Sequence, residues 1–308
     1  MIKQYELELL NIIYGYKCNY ECDGCCVGSN HIKNDVNDPD FEKTMNAIEM
    51  LPGVIKMKES DDPWQRGCIT LLGGEPMMYW KTNIMPYARQ IRKYFPNTNI
   101  NIFSNGHLLY KHADEIIEFI DEINASISIS KHVVGDMESK LGQHWQSNIF
   151  EFLNNSRIHK IHNEHYHVKN NVNANIHIYD GGDKWFTWYR VDSENKIKPY
   201  ASKNPARSMR YGCASGSACS ALFENRLYKC SSLASLPGLL KNLNQENDQD
   251  WEHYLNYPYV DILSVDPDKL QFFADTFGKP ISQCDMCNDQ PANVIRWTDR
   301  KQSNILKV

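Results

Sequence analysis

The sequence predicts an α/β protein whose parallel sheet is either open or closed into part of a barrel, followed by a smaller module. Over the first 180 residues, short apolar runs of strand length alternate with longer stretches of helical periodicity. Such alternation is typical of βα units around a parallel sheet. After about residue 184 the rhythm stops and cysteines reappear. We therefore predict a first domain over residues 1–200 and a second over residues 201–308.

The elements of the first domain follow one another in a regular order. Each predicted strand is an apolar or alternating run that ends near turn-forming residues, and each predicted helix repeats apolar residues at helical spacing. The predicted strands are Leu9–Tyr14, Cys68–Leu72, Asn99–Ser104, Ser126–Ser130 and Val172–Tyr179. The predicted helices are Phe41–Leu51, Ile84–Phe95, Ala113–Ile123 and His144–Leu153, and Pro267–Phe277 in the second domain.

Three motifs lie directly after the first three of these strands. A cysteine loop follows the first, Gly73–Pro76 follows the second, and Ser104–Gly106 ends the third. Active sites of such folds lie at the carboxyl ends of the strands. The three motifs are therefore predicted to meet at one rim of the sheet.

Composition narrows the class of protein. The formal net charge of −5, from 33 basic and 38 acidic residues, gives no electrostatic attraction to nucleic acid or to anionic membranes. No apolar run approaches the ~20 residues that span a bilayer, and the N-terminus lacks a secretory signal. We expect a cytoplasmic protein, and in that reducing compartment ten cysteines favour metal or redox chemistry over disulfides.

The cysteine loop has the spacing of an iron–sulfur site. Cys18, Cys22 and Cys25 form the pattern Cys-x3-Cys-x2-Cys. Three thiolates this close can hold three corners of a four-iron cluster and leave the fourth iron open to bind and activate another molecule. The alternative is a tetrahedral zinc site with Cys26 or His31 as the fourth ligand.

The cysteine motif, followed about fifty residues later by a Gly-Gly-Glu-Pro turn, resembles the radical S-adenosylmethionine superfamily. The resemblance implies a partial (β/α)6 TIM-like barrel, with a [4Fe-4S] cluster whose open iron is chelated by S-adenosylmethionine. It also implies that the Gly-Gly-Glu-Pro turn lines the methionine amino group and that a Thr-Asn-Gly-like strand end and a strand serine face the cofactor. The residues that match these motifs are Gly73, Gly74, Glu75, Pro76, Ser104, Asn105 and Ser128.

Two positions depart from the family pattern. Gly24 stands where relatives carry an aromatic residue that packs near the adenine, so Tyr20 or Phe103 is the candidate for that contact. Ser130 stands where relatives often carry an aspartate after the strand serine.

Four late cysteines resemble the auxiliary-cluster module of the same superfamily, in its short "twitch" form rather than the longer "SPASM" form. Cys213, Cys230, Cys284 and Cys287 have its order, which implies one auxiliary [4Fe-4S] cluster in a small α+β module. Asn225 stands where a glycine is usual in the hairpin, and asparagine tolerates the left-handed conformation. Two alternatives stay open: Cys219 replaces Cys213, or the four thiolates bind zinc.

Several other residues receive structural predictions. The unassigned cysteines Cys26, Cys68 and Cys219 are expected to be buried thiols. The histidine-rich segment is expected to lie on the surface, and the aromatic cluster after the first domain's last strand is expected to pack in the core or between domains. The histidine-rich segment contains His159, His162, His165 and His167. The aromatic cluster consists of Trp185, Trp188 and Tyr189.

The resemblance implies reductive cleavage of S-adenosylmethionine to a 5′-deoxyadenosyl radical, which abstracts a hydrogen atom from a substrate C–H bond. An auxiliary cluster implies that an electron is then removed, which gives a net dehydrogenation or an oxidative cross-link. A reducing partner such as flavodoxin or ferredoxin is implied as well.

The substrate is predicted on family frequency to be a ribosomally made peptide, and the alternative is a small polyol, aminocyclitol or nucleoside. No leader-binding domain precedes the first strand, so we expect either a separate peptide-recognition protein or a small substrate. The alternative of another class is a non-catalytic iron–sulfur or zinc-stapled binding protein.

Overall fold

Six parallel strands form the centre of a ten-stranded sheet, which confirms the predicted α/β class and a partial TIM-like barrel. The computed structural model describes residues 4–22, 25–32, 36–62, 65–131, 140–180, 184–185, 188–213, 219–289 and 295–296. In chain order the strands are β1 (Tyr5–Leu7), β2 (Leu9–Ile13), β3 (Ile55–Met57), β4 (Cys68–Leu72), β5 (Asn99–Ser104), β6 (Ala125–Lys131), β7 (Ile158–His162), β8 (His165–Val168), β9 (Asn171–Asp180), β10 (Lys184–Trp185), β11 (Tyr189–Val191), β12 (Ile197–Pro199), β13 (Ser220–Phe223), β14 (Arg226–Tyr228), β15 (Val260–Asp261) and β16 (Ile295–Arg296). The helices are α1 (Phe41–Met50), α2 (Met85–Tyr94), α3 (Ala113–Ile123), α4 (Lys140–Leu153), α5 (Pro205–Gly212), α6 (Ser231–Asn242), α7 (Glu252–Leu255) and α8 (Pro267–Thr276).

The order of the strands places the predicted motifs side by side. The sheet runs β15-β14-β13-β2-β4-β5-β6-β9-β8-β7, and every pair from β13 to β9 is parallel. Five of the six parallel strands lie before residue 200, and β13 adds the sixth beside β2. The two predicted domains therefore share one sheet, while their predicted boundary stays a prediction.

Local sequence signals explain where the helices begin and end. Asp40 caps α1 by accepting a hydrogen bond from the Lys43 amide at 3.0 Å. Pro267 follows the capping residue Asp266 at the start of α8. Asn124 ends α3 in the left-handed conformation, with a φ of 51°.

The sheet has one apolar face and one polar face. Alternate residues of β5 and β6, such as Ile102 and Ile127, are buried together with residues of α2 and α3 such as Ile91 and Ile120. The opposite side chains of these central strands are mostly polar and partly exposed. We call this side the polar face; it carries Asn101, Phe103, Ser128, Ser130, His177 and Tyr179.

The hairpin of β7 and β8 was not predicted from the sequence. It contains the four clustered histidines, and β7 is exposed along most of its length. A strand at the sheet edge with both faces exposed carries no alternation of apolar and polar residues to reveal it. The prediction of a surface segment is correct for β7, but His165 and His167 on β8 are half-buried.

A second hydrophobic core lies beside the sheet and is shared by early and late parts of the chain. It joins Tyr16 and Val27 of the cysteine loop to Leu239 of α6 and to Trp251 and Met286. In the part of the chain that the structure describes, no helix has the length and apolar character needed to cross a membrane.

Candidate active site

The cysteine loop is fixed by hydrogen bonds to two residues distant in sequence. The backbone amide of Tyr16 donates to Asp38 Oδ1 at 2.8 Å, and the amide of Lys17 donates to the Tyr79 hydroxyl at 2.7 Å. That hydroxyl in turn donates to the Asp38 carboxylate at 2.8 Å. These hydrogen bonds fix the backbone of Tyr16 and Lys17, at the start of the loop. No sequence motif indicated Asp38 or Tyr79 as the residues that hold it.

The Gly73–Pro76 turn packs directly on the backbone of this loop. The amide of Gly74 donates to the Gly15 carbonyl, and the amide of Glu75 donates to the Lys17 carbonyl, both at 3.0 Å. A Cβ atom on Gly74 would lie 2.0 Å from the Lys17 carbonyl oxygen. The glycine is thus required for the contact between the turn and the loop.

The side chain of Glu75 is directed at the end of β5. Its carboxylate accepts hydrogen bonds from the Ser104 hydroxyl at 2.8 Å, the Asn105 amide at 2.9 Å and the Met77 amide at 3.3 Å. The residue is 1% exposed, and burial raises the pKa of its carboxyl to about 7 despite these hydrogen bonds. The family resemblance implies that the turn containing Glu75 lines the cofactor amino group. In this structure the Glu75 carboxylate joins the Gly73–Pro76 turn to the end of β5.

We expect Glu75→Gln to flatten the pH dependence of folding in the cluster-free protein. The carboxyl keeps its proton up to about pH 7 in the folded chain, whereas an ordinary glutamate releases it near 4.5. Stability therefore falls as pH rises through this window, by about 3 kcal/mol at most. Urea unfolding at several pH values measures the slope, with the exposed Glu49→Gln as control. If the free energy of unfolding of Glu75→Gln depends on pH as steeply as that of the unsubstituted protein, the raised pKa assigned to Glu75 is wrong.

Asn105 connects the end of β5 to the cysteine loop. Its side-chain amide donates to Asn19 Oδ1 at 2.8 Å and lies 4.0 Å from Cys18 Sγ. The indole of Trp145 on α4 donates to the Asn105 carbonyl at 2.7 Å. The structure therefore brings Asn105 to the cysteine loop and Ser104 to Glu75. Asn19 and Trp145 are supports that the sequence did not reveal.

The three loop cysteines fit an iron–sulfur cluster by the chemistry of their surroundings. Cys18, Cys22 and Cys25 are half-buried thiols. Hydrogen bonds from the Cys26 thiol and from the Val27 and Ser29 amides lower the pKa of Cys25 to about 6, although burial opposes this. Burial, followed by the charges of Glu75 and Cys22, holds the pKa of Cys18 well above its usual range. Amide donors directed at a thiolate are the surroundings that a bound cluster also uses.

The thiols do not converge on one point. Within the described ranges, no group of three or more cysteine, histidine, aspartate or glutamate side chains is arranged to hold a metal ion. The ligands of a four-iron cluster need not converge in this way, because each thiolate binds a different iron.

The two candidates for the adenine contact differ in accessibility. Tyr20 is 1% exposed, and its hydroxyl lies 3.3 Å from His107 Nδ1. Phe103 is partly exposed on the polar face, where its ring meets Tyr179 edge-on at 6.0 Å. Gly24 lies outside the described residues.

Ser128 lies on the polar face, one strand from Phe103. Its hydroxyl donates to Asn101 Oδ1 at 2.9 Å, and its neighbour across β9 is His177. Ser130, in the position where relatives carry an acid, donates to the Tyr179 hydroxyl at 3.1 Å. The strand serines thus form part of a hydrogen-bonded polar surface.

The aromatic residues after β9 support the cysteine loop from the other side. The Trp188 indole donates to the Cys26 carbonyl at 3.0 Å, and the Tyr189 hydroxyl lies 3.0 Å from His31 Nε2. Trp188 and Tyr189 are buried, as the packing prediction expects, whereas the side chain of Trp185 lies outside the described part of the chain.

The unassigned cysteines differ from one another. Cys219 is buried as expected, and Cys68 is half-buried. The residue Cys26 is exposed, unlike the expectation, although its thiol contacts the Cys25 thiol and burial contributes to its raised pKa.

The late cysteines lie within electrostatic range of one another, although no three of them are arranged to hold a metal ion among the described residues. Cys213 follows α5, Cys230 caps α6, and Cys284 and Cys287 lie on and beside a short helical turn. After the effect of burial, the charges of Cys213 and Cys284 raise the pKa values of both Cys230 and Cys287. Cys219 also acts on Cys230, so all five thiols occupy one region.

Lys229 places a positive charge beside these thiols. It is 3% exposed, and its ammonium donates to the carbonyls of Thr276, at 2.9 Å, and Lys279. Burial lowers its pKa, while the charges of Cys284, Cys230 and Cys213 raise it. Its charge favours the thiolate of Cys284, although burial still raises the pKa of that thiol. Four cysteines beside a buried cation are a donor set that fits a cluster.

Helix α6 links the two cysteine sites. It begins directly after Cys230, and its interior contacts the first loop, where the Tyr16 hydroxyl donates to the Ser235 carbonyl at 2.8 Å. A Cβ on Gly238 would lie 2.3 Å from the Tyr16 hydroxyl oxygen. The same helix therefore fixes both sites.

The turn of the β13–β14 hairpin corrects one prediction. The left-handed residue is Glu224, with a φ of 54°, and not Asn225. Asn225 instead donates from its side chain to Asp261 Oδ1 at 2.7 Å, which joins the hairpin to β15. The role of Asn225 in the structure is therefore this hydrogen bond and not a left-handed backbone conformation.

Comparison with known proteins agrees with the geometry of the first site. Residues 10–161, about half of the chain, match the family described as a 4Fe-4S single cluster domain. This match defines the first part of the chain as an iron–sulfur domain. With the cysteine loop and the Gly-Gly-Glu-Pro turn in contact, it supports the predicted resemblance to the radical S-adenosylmethionine superfamily.

No curated protein matches the chain. A solved structure described as "Crystal structure of BtrN in complex with AdoMet and 2-DOIA" is similar over 99% of this chain and 100% of that chain, with 13% identity and a TM-score of 0.43. A likeness of this size says nothing about what the present chain binds.

Proposed function

We propose that the chain is a radical S-adenosylmethionine oxidoreductase that dehydrogenates a small hydroxylated substrate. The observation that carries this proposal is the polar face. Its accessible groups are amide, hydroxyl, phenol and imidazole side chains, of which Asn101, Ser130 and Tyr179 are only partly buried. Neutral groups of this kind recognise hydroxyl and amine groups by hydrogen bonding. A small polyol or aminocyclitol therefore suits this surface better than an apolar side chain does.

Each cofactor of this proposal has a matching set of residues. Cys18, Cys22 and Cys25 would hold the first cluster. S-adenosylmethionine would lie between the rim and the polar face, against Gly73–Pro76, Ser104, Asn105 and Ser128, with Phe103 as the aromatic contact for adenine. When bound, the cofactor would supply the radical chemistry that removes a hydrogen atom from carbon. The protein's own part is to orient the substrate C–H bond and to exclude water.

The late cysteines give the oxidation an electron acceptor. Cys213, Cys230, Cys284 and Cys287 would hold an auxiliary cluster with four protein ligands, in which no iron is left for substrate. Its proposed role is to accept one electron from the substrate. The linkage of both sites through α6 supports this role, because it keeps the distance between them fixed.

Replacing Cys284 with alanine is expected to uncouple the two halves of the reaction. The ratio of oxidised product to 5′-deoxyadenosine should fall by about a hundredfold, because the electron acceptor is lost. Liquid chromatography of both products measures the ratio. Cys68→Ala, a thiol on β4 outside both sites, is the control and should keep the ratio. Equal ratios in the two variants would contradict the role of the auxiliary site.

The overall proposal is tested by isotope transfer. The reconstituted protein is given dithionite, S-adenosylmethionine and either myo-inositol or 2-deoxystreptamine, each deuterated at its ring carbons. Deuterium in the 5′-deoxyadenosine, with a ketone product, is the expected result. If 5′-deoxyadenosine forms without deuterium and no polyol is oxidised, the substrate class is wrong. If none forms with the iron–sulfur content intact, the enzyme assignment is wrong.

A peptide substrate is the second candidate, and one observation favours it. Strand β7 is the last strand of the sheet and pairs only with β8 among the described residues, and Ile161 on it is 52% exposed. An open edge of this kind can pair with an extended peptide. Binding of a peptide along β7 would protect the backbone amides of that strand from hydrogen exchange.

The remaining expectations accompany this proposal. The first cluster requires a reducing partner such as flavodoxin or ferredoxin, in the cytoplasm. A separate recognition protein is required only for the peptide candidate. Iron and sulfide analysis after anaerobic reconstitution distinguishes the enzyme from a zinc-stapled binding protein.

A further inference from the structure

Three histidines on neighbouring strands form a continuous contact from the polar face to solvent. Nδ1 of His177 on β9 lies 2.7 Å from Nδ1 of His165 on β8. The ring of His165 lies 4.7 Å from that of His177 and 4.6 Å from that of His162 on β7. His177 and His165 are half-buried, whereas His162 is exposed. The series therefore leads from the sheet interior to the surface.

The short contact between two like nitrogens has a defined chemical meaning. At 2.7 Å it is a hydrogen bond, in which one ring nitrogen carries the proton and the other accepts it. When Nδ1–H of His177 is the donor, its Nε2 carries a lone pair. An imidazole in this state can accept a proton at one nitrogen while it releases a proton from the other.

The position of His177 is that of a residue facing the proposed substrate. It pairs in register with Ser128 on β6 and with His165 on β8, so all three side chains lie on the polar face. Its neighbours Ile176 and Ile178 point to the opposite, helix-covered face. Tyr179, two residues further along β9, lies on the same face. It is nearer to the carboxyl ends of the strands, where the cysteine loop lies.

Dehydrogenation of an alcohol requires a proton acceptor in addition to an electron acceptor. The carbon-bound hydrogen leaves as a hydrogen atom to the cofactor-derived radical. The hydroxyl hydrogen leaves as a proton, and one electron passes to an oxidised iron–sulfur cluster at the auxiliary cysteines. These three losses convert CH–OH to C=O. The first and third have assigned acceptors in the proposed function, and the second does not.

We propose that His177 is the general base that takes this hydroxyl proton, and that His165 and His162 pass it to solvent. The inference rests on the proposed function, because it completes the same oxidation. Burial, with the charges of His165 and His162, lowers the pKa of His177 to about 4. His177 is thus neutral at pH 7 and transfers the proton onward instead of retaining it. Among the described residues, the titratable groups that act on it are His165 on β8 and His162 on β7. Tyr179 lies two residues further along its own strand on the same face, and the helices cover the other face.

The relay is tested first without cofactors, by long-range ¹H–¹⁵N spectra of the histidine side chains in the cluster-free protein. We expect His177 to titrate near pH 4 and to shift upward when His165 is replaced by glutamine. Titration of His177 near its ordinary 6.5, with no response to His165→Gln, would overturn the proposal. This measurement is independent of whether S-adenosylmethionine is cleaved.

The second measurement concerns turnover of myo-inositol or 2-deoxystreptamine. In His177→Gln the ratio of ketone product to 5′-deoxyadenosine should fall by about a hundredfold or more, and the pH profile of product formation should change. His159→Gln is the matched control, because His159 lies on the same hairpin and contacts His167 instead. A wild-type ratio and pH profile in His177→Gln would exclude the base, whereas failure of the wild type to form 5′-deoxyadenosine would instead contradict the proposed function.

Discussion

Replacement of Cys22 with alanine is expected to abolish the release of 5′-deoxyadenosine from S-adenosylmethionine. In the proposed site each loop cysteine would hold one iron, so the variant would leave the cluster with two protein ligands. Loss of a residue that only supports a metal ligand typically lowers metal affinity or activity by about 10- to 100-fold. Loss of a ligand itself should lower the activity by at least about a hundredfold. The measurement is chromatography of 5′-deoxyadenosine after reduction with dithionite.

The structure indicates that this variant will fold. Cys22 is half-buried, and the hydrogen bond that its carbonyl accepts from the Cys25 amide, at 3.2 Å, does not depend on its side chain. Cys68→Ala is again the matched control, since it removes a half-buried thiol whose contact is with Thr70 on the same strand. Wild-type iron content and product in Cys22→Ala would show that the loop does not hold the cluster.

Gly74→Ala is expected to destabilise the cluster-free protein by about 3 kcal/mol and to prevent cluster assembly. Its new methyl group would lie 2.0 Å from the carbonyl oxygen and 2.5 Å from the carbonyl carbon of Lys17. These are backbone atoms, so the clash is relieved only by displacing the cysteine loop or the turn. Overpacking of this kind costs about 1–3 kcal/mol, and a backbone clash lies at the upper end.

The control for this variant is another glycine in a turn. A Cβ on Gly53 would meet no atom within 4 Å, so Gly53→Ala should leave both stability and iron content nearly unchanged. Urea unfolding gives the stability difference, and iron analysis after reconstitution reports on the loop. Similar behaviour of the two variants would mean that the turn does not position the loop.

Much of the fold could be predicted because its strands carry a local signal. The five predicted strands of the first domain all lie in the sheet, since apolar residues alternate or cluster along them. The hairpin of β7 and β8 lacked such a signal, because its residues are largely exposed. The direction of the Glu75 side chain was equally invisible, because it depends on where β5 ends relative to β4.

Features that depend on short spacing can be recognised from the amino-acid residues alone. These are the βα rhythm, the three cysteines of one loop and the glycines of the turn, all of which are encoded within a few residues of one another. Contacts between distant groups become visible only in the folded chain. Tyr16 contacts Ser235 across 219 residues of chain, and the late cysteines gather around Lys229 from three separate elements. The physical reason is that such contacts arise when strands pair and cores pack, so no local pattern records them.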